Sequence, residues 1–203
     1  QFNVLTVVNS KTAPKIRRIY EQYRKLGFCW QQYIACLDPI GKLQGEKEFS
    51  LTPELYGNFL IELFELWEID LKQGKQPYIR QFENYISILL GYMPEACEQR
   101  GICSFQNVVE ADGSVYPCDS YVLDEYNLGN LNENSFEEIQ KKRNAIQFVE
   151  NSCNHLSECK ECEYFFICRG GCRKHRDNMG VMDGKNRFCQ SYRMFFDACL
   201  SRM

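Results

Sequence analysis

No stretch of this 203-residue chain approaches the roughly twenty consecutive apolar residues of a membrane-spanning helix, so no membrane partner is expected. No basic run stands out either, and the formal net charge is only −3, which argues against a nucleic-acid-binding surface. The start, Gln1-Phe2-Asn3, lacks the basic n-region of a secretory signal. Repeats and low-complexity segments are absent. Twelve cysteines make about 6% of the chain, below the ~8–10% that marks a short disulfide scaffold. A chain of this length without a signal is expected in a reducing cytosol, with its thiols free for metal. Residue 1 is not Met, and the chain opens within an apolar run, so the expectation is a piece of a longer polypeptide.

What is abundant is clustered sulfur. Cys159-Lys-Glu-Cys162 is followed at once by Cys168-Arg-Gly-Gly-Cys172, which places four thiols within fourteen residues. Thiolate is the ligand that iron and zinc select, and a two-residue gap lets both sulfurs of a tight turn face one centre. The three-residue gap between Cys168 and Cys172 suits a helical turn. These two need not serve the same metal, because ligands of neighbouring clusters can cross over, as in two-cluster ferredoxins.

The first part of the chain is read as strand, helix, strand. Phe2 to Val8 is an apolar, β-branched run of the kind buried on both faces of a sheet. Thr12 to Lys25 reads as a helix, with Ile16, Ile19, Tyr20 and Tyr23 as its stripe and Gly27 as its stop. A second strand follows from Phe28 to Leu37 and ends at Asp38-Pro39. Short joints make this a βαβ unit, with parallel strands. Thr52-Pro53-Glu54 opens an amphipathic helix to about Leu71, with cap, proline and first-turn acid in order. Another helix is expected from Ile79 to Leu90.

From Cys97 onward the character changes. Ser104–Glu110 and Ser114–Cys118 flank Ala111-Asp112-Gly113, a strong hairpin signal. Ser135-Phe-Glu-Glu138 is a capping box that opens a helix to about Ala145. The cassette, a glycine-rich turn and a last helix through Tyr192 and Phe196 complete the chain.

The order of thiols is informative: Cys97, Cys103, then Gly113-x4-Cys118, then Cys159-x2-Cys162-x5-Cys168-x3-Cys172, then Cys189. This order resembles the SPASM domain of radical S-adenosylmethionine enzymes, with every gap matching. Pro117-Cys118-Asp119, Asn127-Leu-Gly-Asn-Leu131 and Tyr164-Phe-Phe-Ile-Cys168-Arg-Gly-Gly-Cys172-Arg narrow the resemblance to the anaerobic sulfatase-maturating enzymes. SPASM-like similarity covers about residues 92–203. The βαβ unit and linking helices resemble the end of the partial (β/α)6 barrel of the same enzymes. The implied fold class is therefore α/β plus α+β. Residues 1–75 would complete a radical S-adenosylmethionine barrel with its linking helix, and residues 76–203 would form the SPASM domain with its lead-in helix.

The resemblance implies two auxiliary [4Fe-4S] clusters. One would be held by Cys97, Cys103, Cys118 and Cys172, the other by Cys159, Cys162, Cys168 and Cys189. Ligation by four cysteines leaves no open iron, which suits electron transfer. Asp119 resembles the family's general base, and Leu37 would lie by the adenine of S-adenosylmethionine. The implied reaction oxidises a cysteine or serine of a sulfatase polypeptide to Cα-formylglycine: a 5′-deoxyadenosyl radical removes a Cβ hydrogen, the base takes the thiol or hydroxyl proton, and an electron leaves through a cluster. A carboxylate suits that role when burial beside an anionic cluster strengthens its hold on a proton. The electron donor would be a flavodoxin or ferredoxin. The Cys-x3-Cys-x2-Cys loop that binds the radical-generating third cluster is missing from these residues, so they alone should not cleave S-adenosylmethionine.

Plainer readings stand beside these. Cys29 and Cys36, in a predicted buried strand, read as inert packing residues, and Cys153 and Cys199 as spare, although Cys153 lies near enough to Cys159 to substitute. Without the resemblance Asp119 reads as a cap after the hairpin. His155 and His175 could ligate zinc, but eight cysteines already account for two sites. Arg169, Arg173 and Arg176 read individually as a solvated face, or else as facing an acidic substrate or as donors to cluster sulfides. A structural zinc module, or a radical enzyme that cross-links or epimerises peptides, are the rival functions.

Overall fold

The computed structural model describes residues 2–39, 42, 45–177 and 184–203. Strand β1 (Val4–Val8) leads through a 3-10 turn, Ala13–Lys15, into helix α1 (Ile16–Leu26). Gly27 stops α1 in the left-handed conformation, at φ 72°, which glycine adopts without steric cost. Strand β2 (Trp30–Ala35) then returns parallel to β1, with Val4 opposite Gln31 and Val8 opposite Ala35. The expectation that the first strand is buried on both faces is corrected. Leu5 and Val7 are 62% and 52% exposed, because among the described residues helices cover only the face that carries Val8.

Helix α2 (Pro53–Lys72) starts as its sequence dictates, with the Thr52 side chain accepting a hydrogen bond from the Leu55 N–H. A two-residue strand, β3 (Tyr78–Ile79), joins β2 in parallel and passes directly into helix α3 (Arg80–Leu89). The buried Asp70 carboxylate near the end of α2 accepts a hydrogen bond from the Tyr20 hydroxyl at 3.0 Å and pairs with Arg24 and Lys75, fixing α2 to α1.

A short helix, α4 (Cys97–Arg100), is followed by a small antiparallel sheet in the order β4 (Val108–Val109), β5 (Ser114–Tyr116), β6 (Gly129–Asn130). The paired strands are shorter than the hairpin signal suggested, and β6 lies within the Asn127–Leu131 segment, which carried no strand signal. Ser135 and Glu138 form the reciprocal capping box of helix α5 (Phe136–Ile146).

The C-terminal helix, Cys189–Cys199, turns back onto α2. Phe64, Trp67, Phe82, Tyr85, Phe195 and Phe196 interlock there with ring centroids 5.2–5.9 Å apart. Edge and offset contacts of this kind add to the stability gained by burying the rings. One core therefore runs from Val8 and Ile16 through α2 and α3 to Cys199, across the expected boundary at residues 75 and 76. Two small satellite clusters, around Val115–Leu128–Ile139 and Tyr121–Phe148–Val149, support the β4–β6 region. Among the described residues no helix is long and apolar enough to cross a membrane.

Candidate metal centres

The twelve cysteines are free of disulfides. Four of them, Cys159, Cys162, Cys168 and Cys189, line one cavity of about 380 Å3 together with Lys185 and Arg193. Two short helical turns, Ser157–Lys160 and Phe165–Cys168, carry Cys159 and Cys168 to this wall, Cys162 lies on the link between them, and Cys189 reaches it as the first residue of the C-terminal helix. Burial pushes the Cys168 thiol up to about 12, and Cys189, Cys159 and Cys162 add to the rise. Cys159 and Cys189 are likewise raised, first by burial and then by other members of the set, while Lys185 opposes the rise.

The other set is assembled from four separate segments. Cys97 opens α4, which is tied to α3 by the Ala96 N–H donating to Asn84 Oδ1 and by Gln99 Nε2 donating to the Gln81 carbonyl. Cys103 donates its backbone N–H to the Ser152 hydroxyl. Cys118 follows β5 and precedes a 3-10 turn, Asp119–Tyr121. Cys172 caps the turn Arg173–Arg176. Electrostatic coupling links Cys103 with Cys97, Cys118 and Cys172. Burial raises Cys103, with Cys97 adding to it; burial raises Cys118 to about 11, with Cys103 among its neighbours; burial raises Cys172 to about 12, again with Cys103 nearby. Cys168 couples to Cys189, Cys159 and Cys162, whereas the cysteine that couples to Cys172 is Cys103.

The two glycines between them make this divergence possible. Gly170 and Gly171 have φ of 75° and 70°, and a Cβ on Gly171 would stand 2.4 Å from Asn186 Nδ2. A side chain there would meet both a strained backbone and a neighbour already in place.

The expectation of a solvated arginine face is corrected for Arg173 and Arg176, which are both buried. The Arg173 guanidinium stacks 4.2 Å from the Phe148 ring centre, within a cage completed by Tyr121 and Tyr126, and donates to the Phe148 carbonyl. Arg176 donates to the carbonyls of Ser152 and Asn154. The Nε of each has no partner among the described residues, and both cations lower the pKa of Cys103. Buried guanidinium groups with a donor to spare beside several thiols suit an anionic, thiolate-ligated group. Sequence gave no means of separating these two from Arg169, which remains partly exposed.

Asp119 stands beside its set: the Cys118 thiol and the Ser120 hydroxyl each donate to Asp119 Oδ1 at 3.3 Å. It is exposed, so this chain does not supply the burial expected of it. Leu37, just past β2, is half-buried against the main core. Cys29 is exposed, which corrects the packing role expected of it, because β2 turns that end outward; Cys36 is half-buried, Cys153 exposed and Cys199 buried. His155 bonds through Nε2 to the Gly101 carbonyl, and the buried His175 ring meets Phe188 edge-on; neither lines the cysteine cavity.

A wall of four cysteines is a donor set that an iron-sulfur cluster takes, and that Zn2+ takes as well. Four thiolates around one Zn2+ would lie about 3.8 Å apart, given Zn–S distances near 2.3 Å. Here the four cysteines of one set share the wall of their cavity with Glu158, Phe165, Lys185 and Arg193. Among the described residues no three or more His, Cys, Asp or Glu side chains are grouped closely enough to hold a single metal ion.

Comparison with known proteins agrees with this geometry. An iron-sulfur cluster-binding domain family, SPASM, matches residues 97–163. The cysteine-type anaerobic sulfatase-maturating enzyme of Clostridium novyi (strain NT) is 41% identical over 204 residues, covering 100% of this chain and 54% of that protein. The enzyme of the same description from Clostridium perfringens (strain 13 / Type A) is 39% identical, covering 100% and 55%. A serine-type anaerobic sulfatase-maturating enzyme from Bacteroides thetaiotaomicron is 28% identical, covering 97% and 51%. Among solved structures, native anSMEcpe with bound AdoMet superposes with a TM-score of 0.94 at 39% identity, over 100% of this chain and 56% of that one. The same protein with AdoMet and the Cp18Cys peptide gives 0.93, also at 39% identity, with coverage of 100% and 56%. The chain spans about half the length of the relatives it matches.

Proposed function

We propose that this chain, homologous along its whole length to anaerobic sulfatase-maturating enzymes, is the cluster-bearing C-terminal portion of such a radical S-adenosylmethionine enzyme. The full protein would oxidise a cysteine or serine of a sulfatase polypeptide to Cα-formylglycine. Residues 1–75 would close a partial (β/α)6 barrel, and residues 76–203 would form the SPASM domain. The observation that carries the reading is the convergence of Cys159, Cys162, Cys168 and Cys189 on one cavity.

Cys97, Cys103, Cys118 and Cys172 would hold one [4Fe-4S] cluster, and Cys159, Cys162, Cys168 and Cys189 the other. When bound, such clusters accept and pass single electrons, with potentials set by charge, hydrogen bonds to sulfur and exposure. Arg173 and Arg176 would balance the negative charge of the first set of thiolates, since both are buried and both lower the pKa of Cys103. Asp119 would take the proton from the substrate thiol or hydroxyl at its exposed Oδ atoms, a role open to a carboxylate within hydrogen-bonding reach of the reacting group. Leu37 would present main chain to the adenine. Hydrogen abstraction belongs to the portion of the protein outside this chain, which would carry the third cluster. A flavodoxin or ferredoxin would supply electrons in a reducing cytosol.

Anaerobic reconstitution of the chain tests the cluster reading directly. About eight irons and a broad absorbance near about 400 nm are expected. Stoichiometric zinc without that absorbance would replace the clusters with a structural zinc module. For the full-length enzyme, the mass of a treated sulfatase peptide separates formylglycine from a thioether or an epimer.

A further inference from the structure

Beside Cys168 lies a small space lined by Gln81, Tyr85, Glu98, Gln99, Cys168, Gly171 and Tyr192. Its volume is about 10 Å3, room for one water molecule and no more. The wall is polar. Gln81 and Gln99 are each only 5% exposed, and the side-chain oxygen of each is buried with no hydrogen-bond partner among the described residues. Their amide nitrogens are already committed, Gln81 Nε2 to the Tyr56 hydroxyl at 2.9 Å and Gln99 Nε2 to the Gln81 carbonyl at 2.9 Å. The backbone carbonyl can only accept, so it fixes the Gln99 amide with its oxygen free as an acceptor, and the Gln81 amide as placed offers its oxygen likewise.

An unpaired buried acceptor costs about 1–3 kcal/mol, and here two of them line one cavity. We propose that this cavity is the binding site of a single ordered water that donates to Gln81 Oε1 and Gln99 Oε1 and accepts from the Tyr85 hydroxyl. The partner count matches what buried waters require. The site joins four segments: α3 through Gln81 and Tyr85, α4 through Glu98 and Gln99, the cassette through Cys168 and Gly171, and the C-terminal helix through Tyr192. Two of these segments carry a cysteine of one set beside the site, Cys97 on α4 and Cys168 on the cassette. The water therefore pins the two sets to each other, and it does so with or without iron in them.

A crystal structure of the full-length protein, at a resolution where ordered waters are visible, tests the proposal. A single density peak within about 2.7–3.2 Å of both glutamine oxygens is expected. A dry cavity, or amides turned so that protein donors satisfy both oxygens, overturns it. Gln99→Met removes one acceptor while keeping length; the peak should vanish in its structure and the Tm should fall. Should that variant fail to fold, the wild-type density decides alone. Iron content is measured on the same protein, so failure of the cluster reading and failure of the water site are seen separately.

Discussion

The Cys118 thiol donates at 3.3 Å to Oδ1 of Asp119, its own neighbour in the chain. A carboxylate this close to a metal-binding sulfur has two possible tasks: to anchor the ligand, or to act on substrate. Asp119→Asn separates them, because the amide keeps an oxygen acceptor and loses basicity. In the full-length enzyme the variant should retain both clusters by iron content and EPR yet lose peptide oxidation by at least 100-fold, the order of effect a general base supplies. Loss of one cluster's signal would assign Asp119 to ligand support instead.

The proposed division of the sulfurs into two sets predicts a divided phenotype. Cys172→Ala should remove about half of the roughly eight irons. Cys168→Ala should remove the other half. EPR of the two reduced variants should show two different residual signals, which sum to the wild-type spectrum.

Gly171 sits at φ 70°, with Asn186 where its Cβ would go. Gly171→Ala should destabilise the protein by about 1–2 kcal/mol from the backbone alone, with the crowding added. A denaturant midpoint read on the metal-free chain checks this without interference from cluster loss.

At the other end of the core, Arg202 and Lys72 both bond to Glu68 and hold its pKa down at about 2. An unpaired glutamate titrates near 4.3. The folded state therefore binds this proton less readily, so the stabilisation is complete above the unfolded pKa and is lost as pH falls from about 4.3 toward about 2. Because the pair is near the surface, Glu68→Gln should cost only about 0.5 kcal/mol at pH 7. Urea midpoints of the two proteins should converge at the acid end, and a constant gap would place the effect elsewhere.

Local signals in the sequence located the elements well. Thr52-Pro53-Glu54, Gly27 and the Ser135–Glu138 pair act through neighbours a few residues away, so their structural meaning can be read from a short window. Cysteine spacing marked the cassette for the same reason. Features set by distant packing were not legible. Arg173 and Arg176 are buried because Tyr121, Tyr126, Phe148 and the Ser152–Asn154 carbonyls surround them, and no periodicity in the chain announces that cage. The strand at Gly129–Asn130 exists because β5 offers it an edge, not because two such residues favour extension. Gln81 and Gln99 carry no sequence signal of their own; the space that they line comes from packing between distant segments.

The outer margin of β1 has a practical consequence. Its backbone pairs with β2 on one side only among the described residues, and Leu5 and Val7 leave an aliphatic strip in contact with water. An unguarded strand of this kind is a template for other chains. Preparations of this polypeptide by itself should cloud or self-associate on concentration, and a charged replacement such as Val7→Lys should keep them clear.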